Sequence, residues 1–175
     1  MKISVCSDVH LEFGYLDLRN IDNADVLVLS GDILVASHLG TPDTHNVIEP
    51  NKKHQEYIKF MEQVCSEFKH VIYIAGNHEH YHGDFSETIP KLRNTFGHLV
   101  NLHILDKESV NINDVMFIGG TLWTDMNKED PMTLAHIRGI MNDFRIIYDV
   151  RKEVHYRDED GRSEEHTSEL QSLAY

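Results

Sequence analysis

Three short apolar runs, each closing on polar groups able to hold a metal, constrain this chain more than anything else in it. Ile3-Ser4-Val5-Cys6 runs into Ser7-Asp8-Val9-His10, Val26-Leu27-Val28-Leu29 into Ser30-Gly31-Asp32, and Val71-Ile72-Tyr73-Ile74 into Ala75-Gly76-Asn77-His78-Glu79. Short β-branched runs bounded by glycine or polar clusters read as buried strands of a sheet covered on both faces. The intervening segments have room for crossovers, so parallel pairing is the simplest arrangement. Ligands of such sheets collect outside the carboxyl ends of the strands. Asp8, His10, Asp32, Asn77 and His78 are therefore expected to converge on one small volume.

The segments between these runs support an α/β class. Lys52 to Phe68 predicts a helix, because Tyr57, Met61, Val64 and Phe68 recur at helical spacing with charged residues opposite. A shorter helix is expected from near Thr88, with Pro90 in its first turn and Gly97 ending it. Leu99–Leu105 reads as a strand. Val110–Ile112 and Val115–Ile118 flank Asn113-Asp114 as a hairpin. Asp130-Pro131 has the form of an N-cap and N1 proline opening a helix to about Met141, and Arg145–Val150 reads as another strand. The count is six or seven strands. The stretches around Thr41-Pro42-Asp43 and Glu49-Pro50-Asn51 are expected to form a long loop.

Charge and cysteine content narrow the function. A net charge of −13 gives no support to nucleic-acid binding and argues against an anionic membrane as partner. A phosphate ester remains compatible, since bound cations reverse the local field. Two cysteines, both inside predicted elements, form no disulfide framework and fit a reducing cytoplasm. The first residues carry no signal-peptide pattern, and no apolar run has the length of a membrane span.

The chemistry of the cluster is legible from its residue types. An Asp and a His two positions apart at a strand end can turn toward one cation. A second Asp can bridge two cations, and an Asn amide oxygen offers a neutral ligand. Such mixed N and O donors suit Mn, Fe or Zn, with Mg less well served. A two-metal site stabilises both the attacking and the leaving oxygen of a phosphate ester.

These blocks, in their order and spacing, resemble the first three sequence blocks of the calcineurin-like metallophosphoesterases. The segments Gly119-Gly120-Thr121-Leu122-Trp123-Thr124-Asp125 and Met141-Asn142-Asp143-Phe144-Arg145 are similar to those of small phage and bacterial members. The resemblance implies a layered α/β sandwich of two mixed sheets and a dinuclear, metal-dependent hydrolase. Asp8 and His10 would hold the first metal, Asp32 would bridge, and Asn77 would bind the second. His78 would be the catalytic group beside the metals, placed to stabilise charge or hand a proton to the leaving oxygen. The nucleophile would be a metal-bound hydroxide, since cations pull the pKa of bound water from roughly 15.7 toward roughly 7. Ile33-Leu34-Val35 follows Asp32 in place of the Asp-Arg-Gly run of protein phosphatases, so phosphodiester or nucleotide substrates are favoured. The alternative is a non-catalytic module binding a nucleotide or a partner, its metal site vestigial. A plain dinucleotide-binding unit fits poorly, because no Gly-x-Gly-x-x-Gly loop follows the first strand.

The sequence also departs from the family. Its later Gly-His and Gly-His-x-His blocks are missing; the single Gly-His, Gly97-His98, lacks the second histidine. The expectation is a metallophosphoesterase domain over residues 1–161, incomplete at its C-terminus and weak or inactive as it stands. Residues 162–172 resemble the translation of a sequencing-adapter oligonucleotide, so 162–175 is expected to be a non-native or disordered tail. His80 and His82 are read as exposed loop histidines, Trp123 as a core or pocket-wall ring, and Asp143 and Arg145 as a cap and a surface ion pair.

Overall fold

The computed structural model describes residues 1–40, 50–149 and 154–155. The expected loop at 41–49, the end of the last predicted strand and the tail at 162–175 lie outside the described residues.

The three runs form β1 (Ile3–Cys6), β2 (Val26–Ser30) and β3 (His70–Ile74), joined by β4 (Leu102–Ile104). They make one sheet in the order β1-β2-β3-β4. Every pairing is parallel, with Ile3 opposite Val26, Val26 opposite His70 and Val71 opposite Leu102. All strands therefore end on the same side, and the polar clusters that follow them meet there.

Alternation along the strands feeds two cores. Leu27, Leu29, Val71 and Tyr73 face α1 (Pro50–Glu67), whose Tyr57, Phe60, Met61 and Val64 are fully buried, and α2 (Phe85–Phe96), through Leu92 and Phe96. Val26 and Ile72 face the other way, against Leu105 and Ile112. That second face is covered by a hairpin of β5 (Glu108–Ile112) and β6 (Val115–Gly119). Asn113 and Asp114 both take positive φ, 49° and 64°, the backbone of a two-residue turn whose twist matches the strands.

Cover on both faces fails at the edge. Ile3 is 43% exposed and Val5 68%, because β1 lies two strands away from β3, and no described residue covers this part of the second face. Among the described residues β1 is an edge strand with one exposed face, not the buried strand its sequence suggests.

The rest of the chain differs in detail. α2 starts at Phe85, earlier than Thr88, since Asp84 caps it by accepting from the Ser86 N–H at 2.8 Å. Pro90 consequently sits inside the helix, not in its first turn. Met126–Glu129 is a single turn, α3, whose residues all have positive φ. Asp130 caps α4 (Pro131–Ile140) by accepting from the Thr133 N–H at 2.8 Å, as its Asp-Pro signature predicts. The strand expected over Arg145–Val150 is a short helical turn, α5 (Asp143–Ile146), followed by β7 (Tyr148–Asp149), which pairs antiparallel with β8 (Val154–His155). The segment is tied to the loop after β3: His82 N–H donates to the Ile146 carbonyl at 2.9 Å, and Tyr148 N–H to Gly83 at 3.1 Å. Among the described residues no helix is long and apolar enough to cross a membrane.

Candidate metal centre

The loop after β1 is stitched to the loop after β2. Asp8 N–H donates to the Gly31 carbonyl at 3.1 Å, His10 N–H to Asp32 at 2.9 Å, and Leu11 N–H to Ile33 at 3.0 Å. Parallel pairing thus continues past the strand ends, but through strained backbone. Asp8, His10 and Asp32 have φ of 53°, 51° and 55°. A left-handed non-glycine residue costs roughly 1–2 kcal/mol and persists where its surroundings enforce it.

Two glycines make the crossing possible. Gly31 has φ +96°, and a Cβ there would stand 3.0 Å from the Gly76 Cα. A Cβ on Gly76 would run into the Asp32 carboxylate and lie 2.7 Å from the Asp32 nitrogen. The β2 and β3 loops therefore touch backbone to backbone, which only glycine permits.

Glu79 locks that contact. It is fully buried, and its two oxygens accept four donors. Oε2 takes the N–H groups of Asp32 at 3.1 Å and Gly76 at 2.7 Å; Oε1 takes Ile33 N–H and the Tyr73 hydroxyl, both at 2.8 Å. Burial pushes the Glu79 carboxyl upward while the donors from Ile33, Tyr73 and Gly76 pull against it. The Tyr73 hydroxyl is held well above its ordinary range by burial and by the Glu79 charge. Glu79 is thus structural: its side chain sets the distance between the loops that follow β2 and β3.

Against this frame the candidate ligands gather. The donor atoms of Asp8, His10 and Asp32 all lie within 4.8 Å of one another, with His10 Nε2 4.0 Å from Asp8 Oδ1. Asp32 Oδ1 accepts the His78 N–H at 3.0 Å. The Asn77 amide donates through Nδ2 to Asp143 Oδ1 at 2.8 Å and to the Tyr81 hydroxyl at 3.0 Å. Asp143, whose carboxylate accepts, fixes which end of the amide is nitrogen, and Oδ1 is left to act as a ligand. The Tyr81 hydroxyl is pushed up to about 12 by burial and the nearby Asp143 charge, so it stays protonated at neutral pH. Asp8, Asp32, Asn77, Asp143, Leu122 and Trp123 share the wall of one open cavity of about 600 Å³.

Donor chemistry supports a cation here: two carboxylates, an imidazole and an amide oxygen form the mixed set that suits Mn, Fe or Zn. A second group, His10, Glu12 and His78, also brings three ligand-type atoms within 4.8 Å of one another. Gly97-His98 takes no part: His98 lies past the end of α2 with its Nε2 3.8 Å from Glu62.

Three expectations about individual residues change. His80 is only 2% exposed and stacks on Phe85 at 4.2 Å, with Trp123 beyond, so it is a core ring and not a loop histidine. Asp143 is no cap; it is buried and faces Asn77 and Tyr81. Arg145 donates to the Gly139 carbonyl at 2.7 Å and makes no ion pair among the described residues. His82 is exposed and Trp123 lines the cavity, as read from the sequence. Glu12 and Tyr81 were not anticipated at all. Strand alternation gives no signal for Glu12, because the segment is not extended: Asp8 and His10 are left-handed and the Phe13 N–H closes a turn on the His10 carbonyl at 2.9 Å.

Comparison with known proteins bears on the family and the fold. A family model described as calcineurin-like phosphoesterase matches residues 1–165. An uncharacterized protein, L509, of Acanthamoeba polyphaga mimivirus is 27% identical over 152 residues, covering 81% of this chain and 50% of the relative. The fold is similar to the crystal structure of a phosphopantetheinyl hydrolase from Mycobacterium tuberculosis, with a TM-score of 0.58 at 13% identity, over 98% of this chain and 62% of that one. The chain thus spans about half the length of the curated relative it matches.

Proposed function

The chain belongs to the calcineurin-like phosphoesterase family, and from that premise we propose that its site hydrolyses phosphate esters with the help of two divalent cations. The carrying observation is the convergence of Asp8, His10 and Asp32 at the ends of adjacent parallel strands, their donor atoms within 4.8 Å of one another. Asp8 and His10 would hold one cation, Asp32 would be available to both, and Asn77 would offer its amide oxygen to the other. When bound, the cations neutralise the phosphate and lower the pKa of the water that attacks it.

The chain's own residues do the rest. Asp143 and Tyr81 keep the Asn77 amide from rotating, so its oxygen is presented without further ordering. His78, its backbone pinned to Asp32 and its ring stacked on Tyr81 at 4.2 Å, is the proton carrier for the leaving oxygen. Glu79 preserves the spacing of the two ligand loops. The cavity wall of Trp123, Leu122 and Met141 favours a substrate with an apolar or aromatic part, such as a nucleotide or an organic phosphodiester. Supporting the same preference, Ile33, Leu34 and Val35 are buried in the core and present no arginine to a phosphate.

The test is chelator-sensitive release of nitrophenol from bis(p-nitrophenyl) phosphate in the presence of Mn²⁺, compared with His10→Ala. Release that is weak, because the later histidine blocks are missing, yet confined to the unsubstituted chain is the expected result. Release no greater than the His10→Ala background, with saturable nucleotide binding intact, would replace the hydrolase by a binding module.

A further inference from the structure

We propose that Glu12 is a positioning residue that fixes the ring tautomers of His10 and His78 together through one carboxylate oxygen. Its Oε1 lies 3.1 Å from His10 Nδ1 and 2.8 Å from His78 Nδ1. A carboxylate only accepts, so both contacts require a proton on Nδ1. Each ring then keeps Nε2 as its bare nitrogen. For His10 that is the atom 4.0 Å from Asp8 Oδ1, where the first cation is expected. For His78 it is the atom that takes up and hands on a proton. These functional roles rest on the phosphoesterase reading; the tautomers themselves do not.

The environment makes the arrangement rigid. The Glu12 side chain is 10% exposed, and its Oε2 is buried with no hydrogen-bond partner among the described residues. Both ring contacts therefore fall on the same oxygen in a poorly solvated setting, where charge-assisted hydrogen bonds are strong. The rings meet edge to face with centroids 4.3 Å apart, and His78 stacks on Tyr81 on another side. Tyr81 in turn holds Asn77. One carboxylate thereby aligns a first-metal ligand and the proton carrier, and a ring contact extends the chain of support to the second-metal ligand. Supports of this kind on ligating histidines are worth 10- to 100-fold in metal affinity.

The decisive measurement is the ring ¹⁵N spectrum of the metal-free, full chain under conditions where the imidazoles are neutral. Protonated Nδ1 and bare Nε2 on both His10 and His78 is the expected pattern. Glu12→Ala should return both rings toward the Nε2-protonated form and weaken Zn²⁺ or Mn²⁺ binding about 10- to 100-fold. Glu12→Gln, whose amide oxygen still accepts, should restore the tautomers and most of the affinity. Added Zn²⁺ should shift Nε2 of His10 and leave Nδ1 of both rings protonated. A bare Nδ1 on either ring in the unsubstituted chain overturns the proposal, as does Zn²⁺ binding through both Nδ1 atoms, which would make the trio a chelating cluster. The unsubstituted spectrum decides even where Glu12→Ala fails to fold. Expected tautomers without hydrolysis would count against the phosphoesterase reading alone; reversed tautomers with hydrolysis would count against Glu12 alone.

Discussion

The hairpin turn and the metal centre both use left-handed residues that are not glycine, and they sustain them in opposite ways. At the turn, Asn113 and Asp114 are exposed and satisfy a purely local demand, the twist of two paired strands. At the metal centre, Asp8, His10 and Asp32 belong to two loops and are held by bonds between strands and by Glu79, 47 residues beyond Asp32. Strain at the turn is cheap because nothing depends on it. Strain at the centre is maintained by the sheet order itself, since only adjacent parallel strands bring those loops together.

Substitution should separate the two regions sharply. Asp32→Gly relieves a left-handed backbone yet removes the proposed bridging ligand, so hydrolysis should fall to background and calorimetric Mn²⁺ binding should be lost; retained binding would show that this strain is as dispensable as the turn's. Gly76→Ala forces a methyl against Asp32, and a loss of about 1–3 kcal/mol in denaturant unfolding is expected, together with weaker Mn²⁺ binding. Glu79→Gln turns an amide NH₂ toward N–H groups at one of its two positions, leaving a buried donor unsatisfied, with a loss of about 1–3 kcal/mol in the same assay. Asp114→Gly should be the mildest. Relief of left-handed strain is offset by extra freedom of the unfolded chain, leaving a change within about 0.5 kcal/mol and Mn²⁺ binding unaltered. A thermal melt and one titration would check both halves of that last expectation.

The same contrast explains what the sequence reveals. Strands β1 to β3 and the stripe of α1 are legible because burial imposes a period on residue type. The hairpin is legible because Asn-Asp names its own turn. Asp8, His10, Asp32 and Asn77 are legible as candidates because each follows a strand, and parallel topology then places them together. The supports are not. Glu79 sits three residues from Gly76 but its other backbone partners are Asp32 and Ile33, and Asp143 reaches Asn77 across 66 positions. No periodicity encodes such bonds. Asp143 reads as a cap because aspartate before a helical turn usually is one, and His80 reads as a surface residue because polar loops usually are. The exposed face of β1 is illegible for a related reason: Ile3 and Val5 have the composition of a core strand, while strand order decides what covers them.

The position of β1 at the rim of the sheet also affects how the centre comes apart. Asp8 and His10 follow this outermost strand, whereas Asp32 and Asn77 follow strands flanked on both sides. Detachment of β1 from β2 would carry away both proposed first-metal ligands in one step and leave the other two seated. A cation shared between the two loops would oppose that detachment by mass action, so the amide protons of Ser4 to Cys6 should exchange with solvent more slowly as the site fills.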